Sequence, residues 1–305
     1  MIDFSGRTAF VTGGANGVGI GIVRNLLNEG CKVAIADIRQ DSIDAALASL
    51  DNREVMGIQL DVMDRAGFAA AADTVEAEFG PVSLLFNNAG INLFQTIEDS
   101  SFDDWDWVLG VNLGGVVNGV GTFAPRMKAR ALAGEITGGH ITNTASMASF
   151  IAGGAPGIYN TAKFAVRGLS YSLRHSMYQY GVGVSVVHPG LVKSMIYASD
   201  DVRPDGLKGA AKPVDPAAVE RLSGIHEYGM EPDTIGARIL DGIRDNRANI
   251  FTHPDHKDEL AELFDEILAD YRDYPQDSGF DRRVAFEKIR RGNFAETRRK
   301  ATALG

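Results

Sequence analysis

Cysteine is almost absent from this chain of 305 residues, where Cys31 stands alone. A single thiol excludes an internal disulfide and a thiolate zinc site, and it points to a reducing compartment. Positive charge is also short. The 30 Lys and Arg face 40 Asp and Glu, a net charge of −10. That balance argues against a surface built to neutralise nucleic-acid phosphates. No basic and apolar leader precedes the first apolar run, so the expected location is the cytoplasm. Sustained apolar runs are missing too. Two long charge-free stretches, 107–125 and 136–162, are broken by Gly, Asn, Ser and Thr, which argues against a membrane span. Histidines are few and lack company. His140, His188 and the His253-x-x-His256 pair read as structural, no metal site is expected, and Cys31 reads as a small buried hydrophobe.

Glycine is present in excess. Ordinary usage of about 7% predicts roughly 21 residues, whereas the chain has 35, of which 26 lie in 1–190. Such a concentration suggests backbone brought close to a ligand.

Short apolar runs at 8–11, 32–36, 55–60, 83–86, 140–143, 182–187 and 248–252 read as strands. Helical periodicity appears near 16–29, 40–50, 64–79, 102–124, 157–179 and 231–245. This alternation predicts βαβ units: an α/β, Rossmann-type, doubly wound parallel sheet of about seven strands with helices on both faces. The polar, Pro- and Gly-rich stretch 198–224 reads as a long loop, either a lid or a surface insertion. The tail, 255–305, is charge-dense, with an apolar stripe at Leu260, Leu263, Phe264, Ile267, Leu268 and Tyr271. Its first part, 255–281, carries a net −8 and its remainder +6. It reads as a C-terminal helical extension able to pack on itself, on the body or on another subunit.

Thr12-Gly13-Gly14-Ala15-Asn16-Gly17-Val18-Gly19 joins the first strand to the first helix. A dinucleotide loop requires that placement: a tight turn, close approach to a pyrophosphate, and a helix N-terminus facing negative charge. Asp37 ends the second strand, where a carboxylate can accept from the adenosine ribose hydroxyls and repels a 2′-phosphate. NAD is therefore favoured over NADP, with Arg39 the only nearby cation. Asp61 and Asn87-Asn88-Ala89-Gly90 end the third and fourth strands, where open α/β sheets bind ligands.

Tyr159 and Lys163 are four residues apart on a helical stretch and so share a face. A lysine cation close to a phenol lowers its pKa and equips it for proton exchange. Ser146 lies in the polar segment just before them and can bond the same substrate oxygen.

The glycine loop, Asp37, Asp61, Asn87–Gly90, Asn112, Ser146, Tyr159-x-x-x-Lys163 and Pro189-Gly190 stand in the order of the classical short-chain dehydrogenases/reductases. The chain resembles that family over about residues 5–254, taken as one dinucleotide-binding and catalytic domain, with 198–230 a substrate lid. The resemblance implies Tyr159 as general acid/base, Lys163 on the nicotinamide ribose, Ser146 on the substrate oxygen, and Asn112 holding a water toward Lys163. It implies cofactor contacts at Gly13, Asn16, Gly17, Val18, Gly19, Asp37, Asp61, Val62, Asn88, Ala89, Gly90, Pro189, Gly190, Val192 and Ser194. Substrate contacts fall at Phe94, Met147, Phe150, Leu191, Met195 and Tyr197, with His226 and Tyr228 nearby. These are mostly apolar, so a bulky neutral alcohol or ketone is expected. The segments 102–112, 118–127 and 225–232, with the long tail, resemble the lignin β-aryl ether Cα-dehydrogenases. A benzylic alcohol is the first expectation, a broad hydrophobic ketone reductase the second, a hydroxysteroid or terpenoid dehydrogenase the third. A non-turnover dinucleotide sensor is disfavoured because Ser146, Tyr159 and Lys163 are all present. The helices near 102–124 and 157–179 match those that pair subunits in the family, implying a homodimer or homotetramer.

Overall fold

The computed structural model describes residues 2–51, 54–209 and 216–304. Seven strands form one sheet: β1 (Thr8–Thr12), β2 (Lys32–Asp37), β3 (Val55–Gln59), β4 (Val82–Asn87), β5 (Gly139–Thr144), β6 (Val182–His188) and β7 (Asn249–Phe251). Their order is β3-β2-β1-β4-β5-β6-β7. Every pairing is parallel. The winding reverses between β1 and β4, and that reversal opens a crevice at the carboxyl ends of the strands.

Alternation along the strands divides the core. Ala9, Val11, Val33 and Ile35 face one apolar layer, whereas Phe10, Ala34 and Ala36 face the other. The first layer is roofed by α1 (Gly17–Asn28), α2 (Gln40–Ala48) and α8 (Pro232–Arg244). The second is roofed by α3 (Arg65–Phe79), α5 (Gly115–Ala133) and α6 (Gly157–Met177). Burial on both faces is what lets strands such as Val184-Ser185-Val186-Val187 be apolar almost throughout.

Two features depart from the expected pattern, and the tail keeps to it. The helix expected over 102–124 is α4 (Phe102–Leu109) and α5 joined through a π turn at Gly110–Gly114, and it continues to Ala133. This stretch is long and apolar enough to cross a membrane, but half of its most apolar window is buried in the body. The expected loop at 198–224 carries short 3-10 turns at Ile196–Val202 and Asp205–Leu207 and a helix, α7 (Pro216–His226). Part of that expectation, 210–215, lies outside the described residues. The tail forms α9 (Lys257–Ala269) and α10 (Phe280–Thr302). The end of α10 docks where Asn246 Nδ2 and Arg174 Nη2 donate to Ala301 O at 2.7 and 3.2 Å. Cys31 is buried, its thiol pushed up to about 12 by desolvation.

Candidate active site

A cavity of about 930 Å³ runs along the carboxyl edge of the sheet. It is near the upper end of the range for small-molecule sites, about 300–1,000 Å³. One end is the turn between β1 and α1. Gly17 there has φ +49°, and a Cβ on it would lie 2.8 Å from Ser194 Cβ. A Cβ on Gly19 would collide with Gly13 O at 1.9 Å. Asn16 caps α1 by accepting from Gly17 N at 2.8 Å. Asp37 forms the adjoining wall. It accepts from Ala15 N and Arg39 N at 3.3 and 3.2 Å, yet burial outweighs these bonds and raises its pKa.

Thr12, which carried no expected role, ties the floor together. Its Oγ1 donates to Phe86 O and accepts from Asn88 N and Ala89 N at 2.9 and 3.1 Å. Asn88 returns two bonds from Nδ2, to Thr12 O and Gly13 O, and Thr144 Oγ1 donates to its Oδ1. The ends of β1, β4 and β5 are thereby locked in one frame.

At the other end stand Ser146, Tyr159 and Lys163. Ser146 caps a short turn, Met147–Ser149, by accepting from Ala148 N at 3.1 Å. Ser146 and Tyr159 line the cavity together. Lys163 Nζ lies 5.3 Å from the Tyr159 ring centroid and donates to Thr144 O at 2.9 Å. Burial lowers the Lys163 ammonium to about 8. Burial also raises Tyr159, against the opposing effect of the Ser146 hydroxyl. The lowered tyrosine expected from the lysine alone is therefore not what the protein produces by itself: desolvation of the phenolate is the larger effect.

Asn112 sits in the π turn, fully buried. Its Oδ1 accepts from Ile91 N and its Nδ2 donates to Ile91 O, at 2.8 and 2.9 Å. The side chain thus pins the strand-end segment.

Of the expected cofactor positions, Gly13, Asn16, Gly17, Val18, Asp37, Asp61, Val62, Asn88, Ala89, Gly90, Pro189, Gly190, Val192 and Ser194 line this cavity. Gly19 lies behind the loop. Of the expected substrate positions, Phe94, Met147, Leu191 and Met195 line it. Phe150 and Tyr197 do not. Phe150 packs outward on His188, Phe251 and Phe264, with the Arg167 guanidinium 4.0 Å from its ring centroid. Tyr197 packs on His226. Trp107, Val202, His253 and His256 join the wall instead.

His253 holds the Pro189-Gly190 turn. Gly190 N donates to its Nδ1 at 2.9 Å, so Nε2 carries the proton and donates to Leu191 O at 3.0 Å. The segment after β6 is also fixed at Arg203. Arg203 and Asp104 form an ion pair at 2.7 Å with both side chains 1% exposed, and the guanidinium lies 4.8 Å over Trp107. Among the described residues no three His, Cys, Asp or Glu side chains gather to hold a metal.

The family model for short chain dehydrogenases matches residues 7–203. The chain is a short-chain dehydrogenase/reductase. This short-chain dehydrogenase/reductase is 38% identical over 271 residues to the Cα-dehydrogenase of Sphingobium sp. strain SYK-6, covering 88% of this chain and 87% of that one. A solved chain from Novosphingobium aromaticivorans, assigned to the short-chain dehydrogenases, is 62% identical, with TM-score 0.88 and coverage of 99% and 100%. A Burkholderia phymatum short-chain dehydrogenase/reductase solved in complex with NAD is 32% identical, with TM-score 0.83 and coverage of 91% and 100%. As a family member the protein is an oxidoreductase of CH–OH groups that binds a nicotinamide dinucleotide.

Proposed function

We propose that the protein is an NAD-dependent dehydrogenase of bulky, hydrophobic secondary alcohols, first among them benzylic ones, and of the corresponding ketones. One observation carries this reading: Ser146, Tyr159 and Lys163 stand in a cavity continuous with the glycine turn, and its walls there are Phe94, Trp107, Met147, Leu191, Met195 and Val202. Among the described residues, the only Lys and Arg side chains lining it are Lys163 and Arg39. Lys163 is bound to the floor, and Arg39 lies at the Asp37 end, so among the described residues no Lys or Arg awaits a substrate carboxylate or phosphate. The Cα-dehydrogenase relative supports the benzylic choice.

The glycine turn, Asp37, Asp61, Val62, Asn88–Gly90, Lys163, Val192 and Ser194 fit a dinucleotide, because the cavity passes all of them without a side chain blocking the way. When bound, that group accepts or returns the hydride and adds positive charge in its oxidised form. Asp37 accepts from ribose hydroxyls and repels a 2′-phosphate, which favours NAD. Tyr159 exchanges the alcohol proton, Ser146 holds the same oxygen, and Lys163 keeps positive charge beside the developing phenolate. Residues 1–254 act as the catalytic domain and 255–305 as an extension. The exposed Val117, Leu132 and Phe164 of α5 and α6 suit a homodimer or homotetramer, and the lone reduced Cys31 suits the cytoplasm.

The test is a panel of aryl alcohols, hydrophobic ketones, steroids and small aliphatic alcohols, followed at the nicotinamide absorbance with NAD and NADP in parallel. The expected result is fastest turnover of aryl secondary alcohols with NAD. A preference for NADP contradicts the role given to Asp37. Turnover confined to small aliphatic or carboxylated substrates contradicts the apolar wall.

A further inference from the structure

We infer that His253 is a positioning residue for the cofactor: its neutral ring, protonated at Nε2 alone, holds the Gly190–Leu191 wall of the cavity, and a second proton on that ring loosens the wall and weakens dinucleotide binding. This rests on the dinucleotide reading of the cavity and not on the choice of alcohol.

The segment 189–193 carries the wall. Pro189, Gly190, Leu191 and Val192 line the cavity. Pro189 O accepts from Met147 N at 3.0 Å, which ties the segment to the turn headed by Ser146. The wall therefore belongs to the proton-transfer end of the cavity rather than the Asp37 end. A Cβ on Gly190 would lie 2.7 Å from His256 Nε2 and 3.0 Å from His253 Cγ, so this residue is positioned through its backbone alone.

Two histidines bond to that backbone, and they differ in kind. His226 Nδ1 donates to Val192 O at 2.8 Å. A carbonyl only accepts, so this nitrogen already carries a proton, and a further proton on the ring leaves the bond in place. His253, 7% exposed, does the reverse at Nδ1. That nitrogen accepts from Gly190 N at 2.9 Å, and Thr252 Oγ1 stands 2.9 Å away as a second donor. Its Nε2 donates to Leu191 O at 3.0 Å. No other acceptor meets Gly190 N among the described residues. A proton on Nδ1 sets N–H against N–H and leaves Gly190 N with nothing to donate to. The surroundings keep the ring neutral near pH 7. Burial is the largest influence and lowers its pKa, the bond to Leu191 O and the Asp255 carboxylate oppose that, and His256 and the Arg238 guanidinium add to it. Arg238 reaches from α8 to donate to Thr252 O, and His256 faces Asp255 and Glu259 at 3.8 and 3.5 Å.

The experiment measures two ligands between pH 7.5 and pH 5: NADH by nicotinamide fluorescence, and ADP-ribose, which lacks the nicotinamide, by calorimetry. In the wild-type protein NADH should bind about 3-fold or more weaker at pH 5, as when one proton must leave before the ligand binds, and ADP-ribose should stay within about 2-fold. Retained ADP-ribose binding shows at the same time that the fold and the Asp37 end are intact. His253→Asn keeps an acceptor near the place of Nδ1 and cannot take up a proton. It should bind NADH within about 3-fold of wild type at pH 7.5 and lose the acid weakening. His253→Leu leaves Gly190 N unmet and should bind NADH about 10-fold more weakly at pH 7.5, with ADP-ribose changed far less. A wild-type NADH affinity as flat with pH as that of ADP-ribose overturns the inference, a result that stands even if both variants fail to fold. So does an acid weakening that persists in His253→Asn, or a parallel loss of both ligands, which places the titration elsewhere. Failure to bind NADH at any pH overturns the dinucleotide reading itself, and the inference with it.

Discussion

Arg203→Met removes one half of a buried ion pair and shows how firmly the lid segment is anchored. The pair joins the 3-10 region after β6 to α4 at 2.7 Å, with both side chains 1% exposed. Breaking such a pair from one side costs about 3–5 kcal/mol, because the remaining charge stays buried. Two features reduce that figure here. Asp104 keeps bonds from Ser101 N and Ser101 Oγ at 2.7 and 2.8 Å. Although burial pushes its pKa up, these bonds and Arg203 together hold it below the usual carboxylate range. The energy of opening this segment locally, which would let water reach the carboxylate, also caps the penalty. Methionine keeps much of the contact with Trp107 that the guanidinium makes at 4.8 Å. A loss of about 2–3 kcal/mol in lid closure follows. That corresponds to a rise of about 30- to 150-fold in substrate KM. Cofactor affinity should change far less, since Asp37 and the glycine turn lie at the other end of the cavity. The assay is steady-state kinetics with the best alcohol, alongside cofactor titration. Asp104→Asn/Arg203→Met should recover most of the loss, because no uncompensated charge is left. An unchanged KM in Arg203→Met, or a double variant whose losses simply add, refutes the reasoning.

Two further outcomes are expected. Asp37→Ser should raise KM for NAD by about 10-fold or more and improve NADP relative to NAD, measured by initial rates with each cofactor; an unchanged ratio removes Asp37 from discrimination. Acid should destabilise the fold through two buried imidazoles: burial lowers His140 to about 3 and His188 to about 4 from an ordinary 6.5. Between those values the unfolded chain takes up protons that the folded chain refuses, so stability present above pH 6.5 is lost as pH falls. At pH 5 the two together should remove about 4 kcal/mol relative to pH 7. Urea unfolding midpoints at the two pH values read this directly, and His140→Gln/His188→Asn should flatten the dependence.

Much of this architecture could be read in the residues because the information is local. Seven apolar runs became seven strands, each strand end lying within a few residues of its expected place. The glycine turn, Tyr159 and Lys163 are short-range patterns whose spacing has one simple geometry. What stayed hidden depends on partners far along the chain. The π turn at 110–114 appears where Asn112 reaches Ile91, 21 residues away. Arg203 meets Asp104 across 99 positions, and His253 meets Gly190 across 63. No periodicity announces such pairs. Phe150 and Tyr197 fall in the segments that match the family's substrate contacts. Their rings turn instead toward His188, Phe251 and His226, where an aromatic partner was already waiting. The helix inside 198–224 is hard to see in the residues because α7 begins at a proline and has mixed polarity, so its helical stripe is weak.

The most direct test of the account is Tyr159→Phe, which removes one oxygen from the centre of the site. Lys163, Ser146 and the dinucleotide end of the cavity keep their places. Turnover of the best alcohol should fall by at least about 100-fold, the contribution of a positioned general acid/base. NADH binding, followed by nicotinamide fluorescence, should stay within about 3-fold of wild type, a change of less than about 1 kcal/mol. A variant that retains most of its turnover would show that the proton leaves by another route and would contradict the role assigned to Tyr159.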